Sequence, residues 1–433
     1  MFWLSVAAHA GSLAIPYERY ELDNGLEVIL HEDHDLPIVQ VNLWYHVGSK
    51  DERVGRSGFA HLFEHLMFQG SLHHDAEYFE PLQEVGGTIN GTTSLDRTNY
   101  FEGVPSEHLP RALWLEADRM GWLAPALTQE KLDNQIDVVR NERRQRYDNQ
   151  PFGLSRMILH QELYPEGHPY QVITIGKHED LEAATLDDVK DFFATWYVPN
   201  NATLVVAGDF DVEQTKALVE RYFGPIPAGP EPSHAEAPDW SIEGETRLYR
   251  VDDKATETRF WMVWQSPALY ASGDAELDAF SSAFGSGKDA PLYQELVLDQ
   301  QIARSISAAQ HSQMLESKYV ISGTVADGHT ADEVVAEVDR LLAEALERGV
   351  TEAELEVARV SFEKRFLGNL RTVASKANTL NGYNHHLGEP DSAQWDLDRF
   401  LGLTVDGVNA VARATLGNQD RFVLVMSPPE EEE

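Results

Sequence analysis

The stretch Gly58-Phe59-Ala60-His61-Leu62-Phe63-Glu64-His65-Leu66-Met67-Phe68 is apolar except for two histidines and one glutamate. It holds no proline. Ser57 before it and Gly70 after it supply the start and stop signals of a short helix. On a helix, His61 and His65 lie one above the other on one face, and Glu64 borders that face. Leu62, Phe63, Leu66 and Met67 then bury the remainder. Two imidazoles so placed can clamp one divalent metal, and a neighbouring carboxylate can take a proton from water. A half-buried helix that merely carries two of the chain's 17 histidines has the same pattern. A third ligand must separate the two readings.

Bulk properties narrow what such a site could serve. The chain has 433 residues, long enough for two domains, and 42% of them are hydrophobic. With 34 basic against 72 acidic residues, the formal net charge is -38. That balance argues against nucleic acid and anionic membranes as partners, because both need a basic footprint. Its simplest meaning is a solubilising surface. The chain has no cysteine, so disulfides, thiolate metal sites and cysteine nucleophiles are excluded. No apolar run is long enough for a transmembrane helix. Residues 1–14, with Ala8-His9-Ala10, look like the tail of a secretory signal without a basic start. The expectation is a periplasmic or exported protein of a bacterium, with a cytoplasmic location as the alternative.

Upstream of the histidine helix, Tyr17 to His31 alternates around Asp23-Asn24-Gly25 and predicts a hairpin. Ile38 to Val47 predicts a strand. Downstream, Glu77 to Val85 predicts a helix with Pro81 in its first turn. Gly87 to Phe101 is Thr-rich with weak alternation, which suits an edge strand better than a sheet centre. An edge near a metal would let an extended peptide add on through backbone hydrogen bonds, although an ordinary exposed strand reads the same way. Leu109–Trp122 is helical, and Thr128 caps a helix from Gln129 to about Arg146. Gln135, Val138 and Glu142 share one face of it. Further helices are expected at Leu154–Leu163, Leu186–Trp196 and Asp211–Tyr222, with a buried strand at Ala202–Gly208.

Between Pro225 and Pro238 five prolines alternate with Gly, Ala and acidic residues, a linker signature. Beyond it the pattern repeats. Val350-Thr351-Glu352-Ala353-Glu354-Leu355 echoes Leu127-Thr128-Gln129-Glu130-Lys131-Leu132. Leu403 to Val408 followed by Arg421 to Val425 echoes Ala184 to Val189 followed by the Ala202 strand. The expected organisation is 15–228, a linker at 229–243, a second copy at 244–428 and an acidic tail at 429–433. The second copy has no histidine pair, and Arg365 stands where the first has Glu142.

With these features in place the chain resembles the pitrilysin (inverzincin, M16) metallopeptidase family, from about Tyr17 to Ser427. It is most similar to bacterial members that resemble the mitochondrial processing peptidase subunits. Family members carry H-x-x-E-H and a glutamate some 76 residues later; here 76 residues separate His65 from Glu142. The resemblance implies an α+β fold of two duplicated domains. Each would be a mostly antiparallel sheet packed with helices, together forming half of a clamshell. It implies that His61, His65 and Glu142 bind one Zn2+, leaving one coordination position open. Glu64 would be the general base. It further implies that Gly87–Tyr100 is the substrate-binding edge strand, with Asn90, Gly91 and Thr92 contacting peptide.

Three departures from the family pattern matter. The usual Asn-Ala is Asn90-Gly91. A glutamate often found seven residues before the ligand glutamate is Gln135, which could orient Glu142 by hydrogen bonding. An Arg and a Tyr that grip substrate in active relatives are replaced by Val297 and Arg304. The implied assembly is a zinc-bearing subunit acting on short unstructured peptides, with a related partner subunit supplying that grip. A homodimer is the alternative assembly, and a non-catalytic structural subunit is the alternative function. His73, His74, His160, His168, His385 and His386 are expected to be surface or packing residues.

Overall fold

The computed structural model describes residues 13–430. The candidate signal residues 1–12 and the last three glutamates of the tail lie outside that range. Among the described residues, eleven strands form two sheets. In the first half they are β1 (Glu18–Glu21), β2 (Glu27–Glu32), β3 (Ile38–Tyr45), β4 (Thr88–Thr93), β5 (Thr98–Pro105) and β6 (Ala202–Gly208). In the second half they are β7 (Glu245–Val251), β8 (Arg259–Ser266), β9 (Ala303–His311), β10 (Ser317–Val325) and β11 (Arg421–Ser427). The sheet orders are β1-β2-β6-β3-β5-β4 and β7-β11-β8-β10-β9. Without β1, the two orders coincide strand for strand in chain sequence. Each sheet also has a single parallel pair, β2 with β6 and β7 with β11. The halves are therefore a structural duplication, joined by a segment without helix or strand between Phe223 and Glu245.

Most elements follow from local chemistry. The Asn24-Gly25 turn sets β1 against β2, and Gly25 takes a positive φ of 84°. Thr128 and Thr351 each accept a hydrogen bond from a backbone N–H three residues on, capping Gln129–Arg143 and Glu352–Asn369. The Glu77–Val85 expectation shrinks to one turn, Glu80–Gln83. The Thr-rich segment is corrected in one respect: it is a hairpin of β4 and β5, and only β4 lies at the edge. Ser94 Oγ accepts from the N–H groups of Asp96 and Arg97 and makes that turn without glycine or proline.

The halves cover each other's sheets. Helix Val373–Leu387 of the second half lays Val373, Ala377, Leu380 and Tyr383 against Ile29, Val205 and Ala207 of the first sheet. Reciprocally, Phe152, Leu163, Tyr164 and Tyr170 pack on Val263, Phe422, Leu424 and Met426 of the second. Burial of each large apolar side chain contributes roughly 1.5–3 kcal/mol. These two clusters join the halves through apolar packing.

Candidate active site

The histidine helix runs from Phe59 to Leu66. Its N-cap is Gly58, not Ser57, and Gly58 adopts the left-handed φ of 89° that glycine tolerates. The first turn is satisfied from a distance: the Glu52 carboxylate accepts from Gly58 N at 2.9 Å and Ala60 N at 2.8 Å. Ser57 is drawn away because its N–H and hydroxyl both donate to Asp180. Phe59, Leu62, Phe63 and Leu66 are buried in the first core. That burial fixes the helix rotation and leaves His61 and His65 on the opposite face.

Glu142, near the end of helix Gln129–Arg143, meets both histidines. His65 Nε2 lies 3.2 Å and His61 Nε2 3.7 Å from its carboxylate oxygens. One donor atom from each of the three residues falls within 4.8 Å of the others. A tetrahedral ion with ligands at about 2 Å sets donors about 3.3 Å apart, so small side-chain movements close this set on one ion. Burial and the neighbouring His65 push His61 down to about 4, which keeps it in the neutral form a metal needs. Burial pushes Glu142 up, but the His65 hydrogen bond and the adjacent positive charges outweigh it and hold the carboxyl below its usual range. Arg146, one turn on in a π-helical turn, reaches Glu142 at 2.7 Å.

Glu64 projects toward β4. Burial raises its carboxyl, and the Thr93 hydroxyl, donating at 2.6 Å, opposes that rise. Gly91 sits directly beside it: a Cβ there would come 3.1 Å from Glu64 Cγ and 3.1 Å from the Tyr100 ring. Since alternate residues of a strand face opposite ways, Gly91 and Thr93 face Glu64 while Asn90 and Thr92 do not. The three expected peptide contacts thus divide between two faces. Asn90 Oδ1 accepts from Gly91 N at 2.9 Å, and the Thr92 hydroxyl donates to Asn99. Gln135 is also corrected. It is two helical turns, about 10 Å, from Glu142, and its amide donates to Asn134 Oδ1 at 2.8 Å. The reading from residues missed Thr93, Glu52 and Arg146. Only Arg146, at i+4 from Glu142, carried a local signal.

In the second half, Val297 packs against the core. Arg304 is ion-paired with Glu257 at 2.5 Å and Asp327 at 2.6 Å. Among the described residues no helix is long and apolar enough to cross a membrane.

Known proteins place this geometry. The family model described as Insulinase (Peptidase family M16) matches residues 27–172, and that described as Peptidase M16 inactive domain matches residues 183–361. The zinc protease PqqE of Helicobacter pylori is 30% identical, over 98% of this chain and 96% of its own length. A crystal structure of a protease from Helicobacter pylori superposes with a TM-score of 0.88 at 26% identity, covering 96% of this chain and all of that one. The periplasmic protease PqqL from Escherichia coli has the same fold, at a TM-score of 0.79 and 18% identity, and this chain spans 48% of it. The duplicated sheets, the clustered His61, His65 and Glu142, and these similarities establish that the chain belongs to peptidase family M16.

Proposed function

We propose that the chain is the zinc-bearing subunit of an endopeptidase that hydrolyses short, unstructured peptides in an enclosed chamber. The observation that carries this reading is the meeting of His61, His65 and Glu142 beside a carboxyl, Glu64, that none of the three uses. Those three residues would hold zinc, which when bound supplies a Lewis acid. Glu64 takes the proton of the attacking water and returns one to the leaving amine, a role suited to a carboxyl raised by burial. Thr93 fixes its orientation. The β4 edge offers unpaired backbone groups to an extended peptide, with Asn90, Gly91 and Thr92 as the contacts. The missing side chain at Gly91 lets the strand pack directly against Glu64.

The partner follows from the second half. Val297 is committed to the core and Arg304 to two carboxylates, so neither is free to grip a peptide. A related subunit without the histidine pair would supply that grip, or a second copy would close the chamber. A periplasmic location accompanies this reading, as the similar Escherichia coli protein is described as periplasmic. The match of residues 183–361 to an inactive-type domain favours a second reading, a non-catalytic structural subunit.

The test is cleavage of a quenched peptide library by the chain alone and co-expressed with a related subunit lacking the histidine pair, with zinc quantified in both. Cleavage that depends on the partner supports the proposal. Full activity of the chain alone removes the heterodimer, and zinc-loaded protein inert in both forms supports the structural reading.

A further inference from the structure

A second polar site lies where the halves meet, away from the metal cluster. Helix Ser155–Leu163 of the first half crosses the outer face of the second sheet and leaves a cavity of about 420 Å³. Its polar lining is Ser155, Arg156, His160, His311, Gln313, Lys318 and Ser322, without a carboxylate, in a chain of net charge -38. Lys318 is 8% exposed. Among the described residues no acid is ion-paired with it. Burying an ammonium without a counter-charge is costly, and natural structures rarely leave one so.

The hydrogen bonds fix the protonation pattern. His160 Nδ1 lies 2.7 Å from the Tyr170 carbonyl, which can only accept, so Nδ1 carries the proton. His160 Nε2 is then an acceptor, and Lys318 Nζ donates to it at 3.0 Å. An ammonium has two further donors. The nearby acid, Glu316, neither lines the cavity nor ion-pairs with Lys318, and its Oε2 accepts from Trp240 Nε1 at 2.8 Å and from Gln265 Nε2 at 3.0 Å. The other groups facing Lys318 are Arg156 on the helix, His311 paired across from it on β9, His168, and the Tyr164 ring at 5.1 Å. Burial and Arg156 push Lys318 down to about 7, against the pull of Glu316.

We propose that this interdomain cavity binds a small oxyanion, a phosphate- or carboxylate-bearing molecule, with Lys318 and Arg156 as its charged contacts and His311 and Ser155 at its rim. The anion supplies the negative charge that the cavity lining omits. Because Lys318 comes from the second half and Arg156 from the first, an occupied cavity ties the halves together.

Isothermal titration of the zinc-loaded chain with inorganic phosphate, and separately with succinate, tests this at pH 8 in two buffers of different ionisation enthalpy. The expected result is one saturable event per chain for at least one anion, at about 1 mM or tighter. It should be accompanied by proton uptake, because the anion raises Lys318. Phosphate alone binding assigns a phosphoryl ligand, and succinate alone a carboxylate. Lys318→Met should weaken binding roughly tenfold or more and abolish the proton uptake. Arg156→Gln, at an exposed position, should weaken binding while leaving the thermal midpoint unchanged, and it decides the matter if Lys318→Met does not fold. Any binding at the metal centre is common to all three proteins. No saturable binding of either anion, or binding equal in the parent and the variants, overturns the proposal.

Discussion

Arg119 is the perturbation whose cost can be worked most fully. Its side chain is buried beneath the candidate site, with Nε 2.9 Å from Glu116 and Nη2 3.0 Å from Glu102. The Tyr78 and Tyr100 rings each lie 4.1 Å from its guanidinium carbon. Burial, and then the Glu116 charge, push the Glu102 carboxyl up from the usual carboxylate range. Two buried carboxyls thus share one guanidinium. Arg119→Met keeps the volume and removes the only cation, stranding Glu116 in the core. Breaking a buried pair this way costs about 3–5 kcal/mol. At about 2–4 °C per kcal/mol for a domain of this size, the melting transition should fall by roughly 10 °C. Glu102→Gln keeps the shape and an acceptor for Arg119 and removes the carboxyl that burial disfavours, so it should cost about 1 kcal/mol or less. Urea unfolding and calorimetry of both variants give the two values. The reasoning fails if Arg119→Met stays within about 1 kcal/mol of the parent, or if Glu102→Gln costs as much as Arg119→Met.

Further outcomes follow from the same geometry. Glu52→Ala removes both acceptors at the start of the histidine helix; it should cost about 2–4 kcal/mol and weaken zinc binding, read by urea midpoint and chelator competition. Thr93→Val should lower kcat about tenfold with zinc content unchanged, because it frees Glu64 without touching a ligand, whereas Gln135→Ala should alter neither zinc content nor kcat. Burial pushes His46 and His386 down to about 4. The unfolded chain therefore binds protons more readily than the folded one below about pH 6.5, and stability should be complete above that pH and fall progressively toward pH 4. A urea midpoint that does not change between pH 7.5 and pH 5 would contradict this.

Much of the fold was legible because its signals are local. The Asn24-Gly25 turn, the threonine caps at 128 and 351, and the alternation in β3 and β6 each act within a few residues. The repeat of those signals exposed the duplication. Glu142 was legible differently, through its spacing to His65 in a resembling family, since no local rule joins two residues so far apart. The failures share a cause in long-range partners. Ser57 resembles an N-cap until Asp180 takes its hydroxyl. The turn at Ser94 to Arg97 lacks glycine and proline, so one strand was expected where two pair. Lys318 and His160 are separated by 158 positions, and nothing near either announces the other. His160 does pack in the interior, as expected, but as the hydrogen-bond acceptor of a lysine from the other half.

The central claim is that Glu64 is a base beside a metal held by other residues. The decisive measurement is turnover of a quenched peptide by the parent and by Glu64→Gln, each with and without the proposed partner subunit and with zinc counted in the same sample. The account predicts one zinc per chain in both proteins and a fall in turnover of about 10²–10⁴ in the variant. Turnover unchanged in a zinc-loaded Glu64→Gln protein would contradict it.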